Sequence, residues 1–166
     1  LIRMVLENSR SEKITLEKEL ETLRLYIELE AMRFKEKVKY NITVAPEIDL
    51  QYTEIPPLLI QPYVENAIWH GLMHKQNGGT INIQVTQTAE HTLMIEIADD
   101  GIGREKAVEL KSKSATRQKS FGLNMTAERV RIINQLYQID ATIKITDLKD
   151  NDNNATGTIV NITIPV

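Results

Sequence analysis

The spacing of apolar residues changes once along the chain, at about Lys37, and this change constrains the fold more than any other feature. Before it, apolar residues recur every three or four positions, as on one face of a helix. After it, apolar and polar residues alternate, as in half-buried β-strands. The alternating segments are 38–44, 81–85, 93–97, 141–146 and 158–164. Helical patterns lie between them, which predicts an α+β fold: a two-layer sandwich of a mixed, mostly antiparallel sheet with helices on one face, preceded by a helical segment.

The first of these helices is predicted from Thr15 to about Phe34. Thr15 is a favourable N-cap residue, and Glu17 and Glu19 follow in the first turn, where the helix dipole favours acidic side chains. One apolar stripe runs along it: Leu16, Leu20, Leu23, Ile27, Ala31 and Phe34. The pattern leaves two packing partners open, namely another helix such as its own copy, or the domain that follows. Residues 1–6 have the pattern of the end of an earlier helix.

A second helix is predicted from Pro56-Pro57 to about His74, because proline is tolerated in the first helical turn. Asn66 and His70 lie four residues apart and share a face of this largely apolar helix, so a polar group is expected over that face. A solvated asparagine and histidine would give the same pattern. His70 and His74 also have the spacing of zinc ligands, but Gly71 stands where zinc proteases have a glutamate.

A glycine turn, Asp99-Asp100-Gly101-Ile102-Gly103, directly follows an apolar strand. An aspartate at a strand end beside two glycines is a fixed acceptor at the floor of a pocket that other groups can approach closely. By itself the motif is equally typical of a simple turn. Residues 104–110 are predicted to form a short helix.

The segment 111–120 carries four basic residues, no acidic residue and no apolar period, which predicts a mobile loop. It ends in Ser120-Phe121-Gly122-Leu123, where a helix over 122–137 begins. Backbone amides at a helix N-terminus, with a glycine that allows close approach, form an anion site.

Composition excludes several classes of function. The 166 residues include no cysteine, which removes disulfides, thiolate metal sites and cysteine nucleophiles and agrees with a reducing compartment. The net charge of −3 provides no basic field for nucleic acid. No apolar run approaches the roughly 18 residues of a membrane span, and no signal segment opens the chain. Because the sequence begins in mid-pattern at Leu1, it is interpreted as part of a longer protein.

The motifs together carry a family resemblance. An asparagine helix, a strand ending in D-x-G-x-G, a basic loop and a glycine at a helix start follow one another as in the Bergerat-type ATP-binding fold of gyrase, chaperone ATPases, mismatch-repair ATPases and sensor histidine kinases. Longer segments are similar to the LytS/YehU-type sensor histidine kinases: TLEKEL at 15–20, EAMRF at 30–34, PPLLIQPYVENA at 56–67 and HG at 70–71. The resemblance covers nearly the whole chain.

The resemblance implies a role in binding ATP for each matching residue. Asn66 would hold Mg²⁺ against the phosphates, and an amide oxygen suits this ion. His70 matches a polar position near the phosphates or ribose, so Asn66 and His70 are the implied catalytic residues. Asp99 would accept a hydrogen bond from the adenine amino group, where guanine has a carbonyl. The loop 111–120 falls at the ATP lid of the family, and Ser120-Phe121-Gly122-Leu123 at its last glycine box. The other matches are Gly101 and Gly103 around the base, Lys119 in the lid, Gly122 and Leu123 in the last glycine box, and Thr158 beside the adenine.

The implied function is the catalytic ATP-binding domain of a two-component sensor histidine kinase, over residues 38–166, after part of a helical dimerisation segment, over residues 1–37. The domain would transfer the γ-phosphoryl group to an upstream histidine, because the surroundings of His70, His74 and His91 do not match the family's phosphoacceptor motif. Implied partners are ATP, a second copy of the full-length protein and a response regulator. The implied location is the cytoplasmic side of a bacterial inner membrane, reached only through upstream segments.

Two departures from the family pattern keep alternatives open. Trp69 stands where many relatives have lysine, and Ser120 where the last box usually begins with glycine, so a phosphate-binding cation is missing or comes from the lid. A nucleotide-sensing module without phosphoryl transfer is one alternative. A hydrolysing ATPase of the same superfamily is another, although Pro62 occupies the position of the water-activating glutamate and Glu65 lies about 100° around the helix from Asn66.

Overall fold

The computed structural model describes residues 13–35, 37–113 and 121–166. The predicted end of an earlier helix at 1–6 and the loop residues 114–120, which include Lys119 and Ser120, lie outside this part. In chain order the elements are β1 (Ile14–Thr15), α1 (Leu16–Arg33), β2 (Val38–Val44), β3 (Glu54–Ile55), α2 (Gln61–Asn66) with a π-helical continuation (Ala67–Leu72), β4 (Gly79–Ala89), β5 (Thr92–Asp99), α3 (Arg104–Lys113), α4 (Phe121–Tyr137), β6 (Thr142–Lys149) and β7 (Ala155–Pro165).

A five-stranded sheet organises the fold, in the order β2-β4-β5-β7-β6. β2 and β4 are parallel, and every other neighbouring pair is antiparallel. A parallel pair needs a long crossover, and residues 45–78, with α2 and its continuation, provide it. β1 and β3 form a separate two-stranded ribbon. The predicted α+β class with a mixed, mostly antiparallel sheet is confirmed.

The core lies on one face of this sheet. Ile83, Ile97 and Val160 are aligned across β4, β5 and β7, and all three are buried. The alternate residues of β4, Asn82 and Gln84, are exposed. The buried set on the three strands consists of Ile81, Ile83, Val85, Leu93, Ile95, Ile97, Val160, Ile162 and Ile164. A sheet with one covered face explains the alternation in the sequence.

Helix α1 packs on its own domain. Thr15 caps its start, since the Thr15 hydroxyl accepts from the Lys18 N–H at 3.3 Å. The apolar stripe is buried in the same core as the sheet, with Leu16, Leu20, Leu23 and Ile27 each no more than 3% exposed. Of the two packing partners left open by the sequence, the following domain is the one that the stripe contacts.

Two predicted element boundaries were wrong. The helix expected from Pro56 begins at Gln61, because residues 56–60 form a turn in which Leu58 has a φ of 58°. α3 extends to Lys113, so the first three residues of the predicted loop are helical, consistent with the good helix propensity of lysine. Among the described residues, none of the helices has the length and apolarity that crossing a bilayer requires.

Candidate functional site

Asp99 is a buried carboxylate at the end of β5, the central strand of the sheet. Its side chain accepts the Gly101 N–H at 2.9 Å, and the residue is only 8% exposed. Burial raises the pKa of Asp99 to about 6, and the neighbouring Asp100 raises it further, while the Gly101 N–H and Lys75 oppose the rise. Asp99 therefore places a poorly solvated hydrogen-bond acceptor at the C-terminal end of the central strand.

Thr158 lies directly opposite Asp99. Residue 158 of β7 pairs with residue 99 of β5, and Ile81 of β4 pairs with residue 99 on its other side. Cross-strand neighbours of this kind have their β-carbons about 5 Å apart on one face of the sheet. The structure thus brings together two predicted site residues that are 59 positions apart in the sequence.

The helical segment that carries Asn66 rests on the glycine turn. A β-carbon on Gly101 would lie 2.5 Å from the Gly71 α-carbon, so the two backbones touch because neither residue has a side chain. The Ile102 N–H donates to the Gly71 carbonyl at 3.3 Å. Gly71 is a contact residue that sequence reasoning missed. Its signal was a glycine in a helix interior, a choice that costs about 1 kcal/mol relative to alanine and so implies a packing reason.

The π-helical geometry determines which residues face the same way as Gly71. The Met73 N–H bonds to the Ile68 carbonyl at 3.0 Å, five residues back, as π-helices do. Residues five apart are therefore aligned, and Asn66 lies one turn before Gly71 on the same side. Asn66 is half-buried, and its amide has no hydrogen-bond partner within the part of the chain that the structure describes. His70, also half-buried, immediately precedes Gly71.

Helix α3 forms a further wall of the site. Gly103 enters it with a φ of 83°, and a β-carbon there would lie 2.8 Å from the β-carbon of Ala155. α3 then contacts the π-helical segment and β7. The Arg104 guanidinium donates two hydrogen bonds to Asp147 of β6, at 2.7 and 2.6 Å, and this lowers the pKa of the Asp147 carboxyl.

Asp100, the neighbour of Asp99, serves a different purpose. Its carboxylate accepts the Thr80 N–H at 2.8 Å, and its carbonyl accepts from the Lys75 ammonium at 2.7 Å. These contacts tie the glycine turn to the start of β4, through Thr80, and to the connection before it, through Lys75. Asp100 is therefore a structural residue of the turn, as distinct from the buried acceptor at position 99.

Trp69 faces helix α1. Its indole N–H donates to the Tyr26 hydroxyl at 3.3 Å, and its ring meets Phe34 edge-to-face with 5.5 Å between centroids. The Arg33 guanidinium lies 5.2 Å from the Trp69 ring centroid. This departure from the family pattern therefore has a packing role between α1 and the π-helical segment.

The remaining predicted positions lie on other elements of the fold. Gly122 and Leu123 belong to the first turn of α4, which packs against α2 and β6. Lys119 lies outside the described residues. His91 occupies the β4–β5 turn, at the opposite end of β5 from Asp99.

Comparison with solved structures identifies the fold. The histidine kinase domain of the blue-light activated kinase from Erythrobacter litoralis EL346 matches 93% of this chain and 67% of its own length, with a TM-score of 0.56 and 22% identity. The catalytic domain of histidine kinase ThkA matches 93% of this chain and 94% of its own, with a TM-score of 0.59 and 14% identity. The mycobacterial sensor histidine kinase MprB matches 93% and 96%, with a TM-score of 0.59 and 15% identity. The chain has the fold of a histidine kinase catalytic domain.

Sequence comparison indicates which kind of histidine kinase the chain resembles. The family model described as "Histidine kinase" matches residues 1–38. The sensor histidine kinase BtsS of Escherichia coli K12 is 32% identical over 121 residues, which are 73% of this chain and 20% of BtsS. The sensor histidine kinase/phosphatase LytS of Staphylococcus aureus MRSA252 is 38% identical over 105 residues, which are 63% of this chain and 18% of LytS. The chain spans about a fifth of the length of these relatives. The predicted resemblance to LytS-type sensor histidine kinases is confirmed.

Proposed function

We propose that this chain binds ATP at the site around Asp99 and transfers its γ-phosphoryl group to a histidine upstream of the sequence. The observation that carries the proposal is the buried Asp99 carboxylate, opposite Thr158 and against the glycine turn. A buried acceptor favours a ligand that donates a hydrogen bond to it. The adenine amino group does so, whereas the guanine carbonyl at that position would repel the carboxylate.

Asn66 is the proposed contact of the site with Mg²⁺. Its amide lies one helical turn from Gly71, on the side that faces the glycine turn, and no described residue engages it. Mg²⁺ in phosphate sites keeps one or two protein oxygens, with substrate phosphates and waters as its other ligands, so a single amide oxygen fits. The ion neutralises charge on the phosphates when it is bound. Asn66 orients that complex, with His70 beside it.

Further phosphate contacts are proposed from the family resemblance. Lys119 would contribute a cation, and the backbone amides near Gly122 and Leu123 would bind phosphate oxygens at the start of α4. Gly101 and Gly103 would lie along the base. None of these assignments requires a phosphate contact from Trp69, whose side chain packs on α1.

The phosphoacceptor is proposed to precede this sequence. His91 lies at the far end of β5 from Asp99, His74 is exposed, and His70 is assigned to the nucleotide site. Residues 1–38 match the histidine kinase family model, so we assign 1–37 to a dimerisation and linker segment, whose helix α1 also packs on the core of the nucleotide-binding part, 38–166. The full-length protein would then act as a homodimer on the cytoplasmic side of a bacterial inner membrane and pass the phosphoryl group to a response regulator.

Hydrolysis of ATP fits the site less well than transfer to a histidine. Pro62 is buried at the start of α2, where a hydrolase of this superfamily has its glutamate. Glu65, the nearest carboxylate in sequence, accepts a hydrogen bond from the Gln61 amide at 3.1 Å. A nucleotide-sensing module without transfer stays the alternative: Trp69 has a packing role against α1, and transfer then depends on a cation from the lid.

Isothermal titration calorimetry tests the proposal. The chain is titrated with ATP and with GTP, each in Mg²⁺ and in chelator. We expect ATP to bind, Mg²⁺ to strengthen binding, and GTP to give no heat at the same concentrations. Equal binding of GTP would contradict the adenine assignment, and no binding of ATP would contradict the proposed function.

A further inference from the structure

Helix α1 contacts both ends of the segment Gln61–Leu72, called here the nucleotide helix, which carries Asn66 and His70. At its start, the contact is made by Glu19. The two carboxylate oxygens of Glu19 accept the N–H groups of Leu58 and Ile60, at 3.4 and 3.5 Å. Ile60 is the N-cap residue, and its own side chain makes no capping bond. A carboxylate from another helix therefore binds the backbone N–H groups that lead into the nucleotide helix, including that of the N-cap residue itself.

The Glu19 contact depends on one conformation of the chain before the nucleotide helix. Leu58 has a φ of 58°, a left-handed conformation that a bulky residue adopts only when its surroundings impose it. Glu19 is 4% exposed, and its burial raises the pKa of its carboxyl, while the backbone N–H groups of residues 58–60 lower it. Among the described residues, no lysine or arginine forms an ion pair with Glu19. The backbone N–H groups and the helix dipole are what compensate its charge.

At the other end of the nucleotide helix, the contact is made by Trp69. Its indole N–H bonds to Tyr26, and its ring packs against Phe34 and Arg33 near the C-terminal end of α1. Trp69 immediately precedes His70, and it is the only tryptophan in the sequence. The nucleotide helix is thus held at two points by one element that contributes no residue to the proposed nucleotide site.

We propose that Glu19 is a positioning residue of the nucleotide site: it fixes the start of the nucleotide helix, while Trp69 fixes its end, so that α1 determines where Asn66 and His70 stand. This inference rests on the ATP site proposed above. Asp99 is on the sheet and Gly71 is anchored on the glycine turn, so a shift at the start of the nucleotide helix displaces Asn66 more than the base-binding residues. The expected loss is therefore specific to the metal and phosphates.

The first test is Glu19→Gln, with Glu21→Gln as the matched control, because Glu21 is an exposed glutamate of the same helix. The glutamine places an N–H donor against a backbone N–H, so the start of the nucleotide helix loses one of its two bonds. We expect MgATP to bind about fivefold more weakly or worse, at the lower end of couplings between sites in one protein. Metal-free ADP should bind nearly as to the parent, and the emission of Trp69 should shift. The control should change none of these.

The second test is Tyr26→Phe, which removes only the hydroxyl that accepts the Trp69 N–H, with Tyr40→Phe as control. Tyr40 donates to Glu28 on the exposed part of α1 and has no part in the Trp69 contact. We expect Tyr26→Phe to shift Trp69 emission and to weaken MgATP more than metal-free ADP. If circular dichroism shows that Glu19→Gln does not fold, Tyr26→Phe alone tests whether α1 positions the nucleotide helix.

The outcomes separate this inference from the proposed function. If the parent binds MgATP and both variants bind it with parental affinity, the inference is overturned and Glu19 is a stability residue only. An equal loss for MgATP and metal-free ADP overturns it as well. If the parent binds no ATP, the proposed function fails, and unchanged Trp69 emission in Glu19→Gln then overturns the inference independently.

Discussion

A β-carbon on Gly71 would lie 2.9 Å from Oδ1 of Asp99, so the π-helical segment and the buried carboxylate touch only because residue 71 has no side chain. Contacts this short require one partner to move. Asp99 is held by the Gly101 N–H and is buried, so its displacement disturbs the site.

Gly71→Ala should therefore weaken ATP binding as well as stability. Alanine would gain about 1 kcal/mol of helix propensity, but overpacking a filled interior costs about 1 to 3 kcal/mol, so the expected net loss of stability is up to about 2 kcal/mol. Thermal unfolding and calorimetry with ATP measure the two effects. Ala67→Gly is the control, since it lowers propensity in the same segment without touching Asp99. Parental ATP affinity in Gly71→Ala would contradict the role assigned to this contact.

Asp99 should make the folded protein less stable as pH rises. Its pKa is about 6 in the folded chain against an unfolded value of 3.8, so the folded state binds more protons between these values. Stability contributed at low pH is lost as pH rises through about 4 to 6, by an amount on the order of 3 kcal/mol at most. Asp99→Asn should remove this slope and unfold at higher urea concentration than the parent at pH 7. Parallel stability curves for parent and variant between pH 4 and 8 would disprove the shift.

The same carboxylate should select the base. Asp99→Ala removes a charge-assisted hydrogen bond, which is expected to cost about 1.5 to 3 kcal/mol, or about 10- to 150-fold in ATP affinity. Parental affinity should also fall as pH drops below about 6, where Asp99 becomes protonated. Asp100→Asn is the comparison, because it should lower stability by weakening the Thr80 contact and the 3.9 Å ion pair with Lys75, without admitting GTP. Normal ATP binding by Asp99→Ala would refute the assignment.

Asn66 should act through the metal. Asn66→Ala removes an amide ligand of Mg²⁺, so binding of MgATP should weaken by about tenfold or more while metal-free ADP binding survives in large part. Asn82→Ala is the control, since Asn82 is an exposed residue on β4 whose side-chain oxygen accepts from the Asn41 amide. Calorimetry in Mg²⁺ and in chelator gives both affinities. Equal losses in the two conditions would show Asn66 to be structural instead.

The chain should bind ATP without phosphorylating itself. Phosphoryl transfer requires an acceptor in line with the γ-phosphate, and none of the three histidines is proposed to serve. Incubation with radiolabelled ATP should give no acid-labile label, and a longer form of the protein that includes the preceding segment should become labelled. Label on the chain alone would identify His70 or His74 as an acceptor.

Local sequence patterns predicted the strands of the sheet, because each strand has one face toward the core and one toward solvent along its whole length. The alternation of Ile81, Ile83 and Val85 follows directly from one buried and one exposed face, and the structure has that arrangement. The pairing of Asp99 with Thr158 depends on how distant strands assemble. The sequence motif indicated each residue, but only the resemblance to a family suggested that they meet.

Features supplied by another element were missed. The helix predicted to start at Pro56 begins at Gln61, because Glu19, 41 residues before Ile60, holds the backbone N–H groups of Leu58 and Ile60 in the turn before the helix. The π-helical turn could not be predicted from the sequence. Its hydrogen bonds span five residues instead of four, and a mostly apolar segment has no periodicity that distinguishes the two. Trp69 was interpreted as a missing cation because its partner, Tyr26, belongs to a helix whose docking the pattern left open.

The burial of α1 changes where the molecule can be divided. A boundary at residue 38 follows the change in sequence pattern, but it separates Leu16, Leu20, Leu23 and Ile27 from the core in which they lie. Each such side chain is worth about 1.5 to 3 kcal/mol when buried, together comparable to the whole stability of a small domain. Residues 38–166 alone are thus an incomplete folding unit. A segment that is exchanged with another kinase should therefore begin no later than Ile14, so that α1 stays with the core on which it packs.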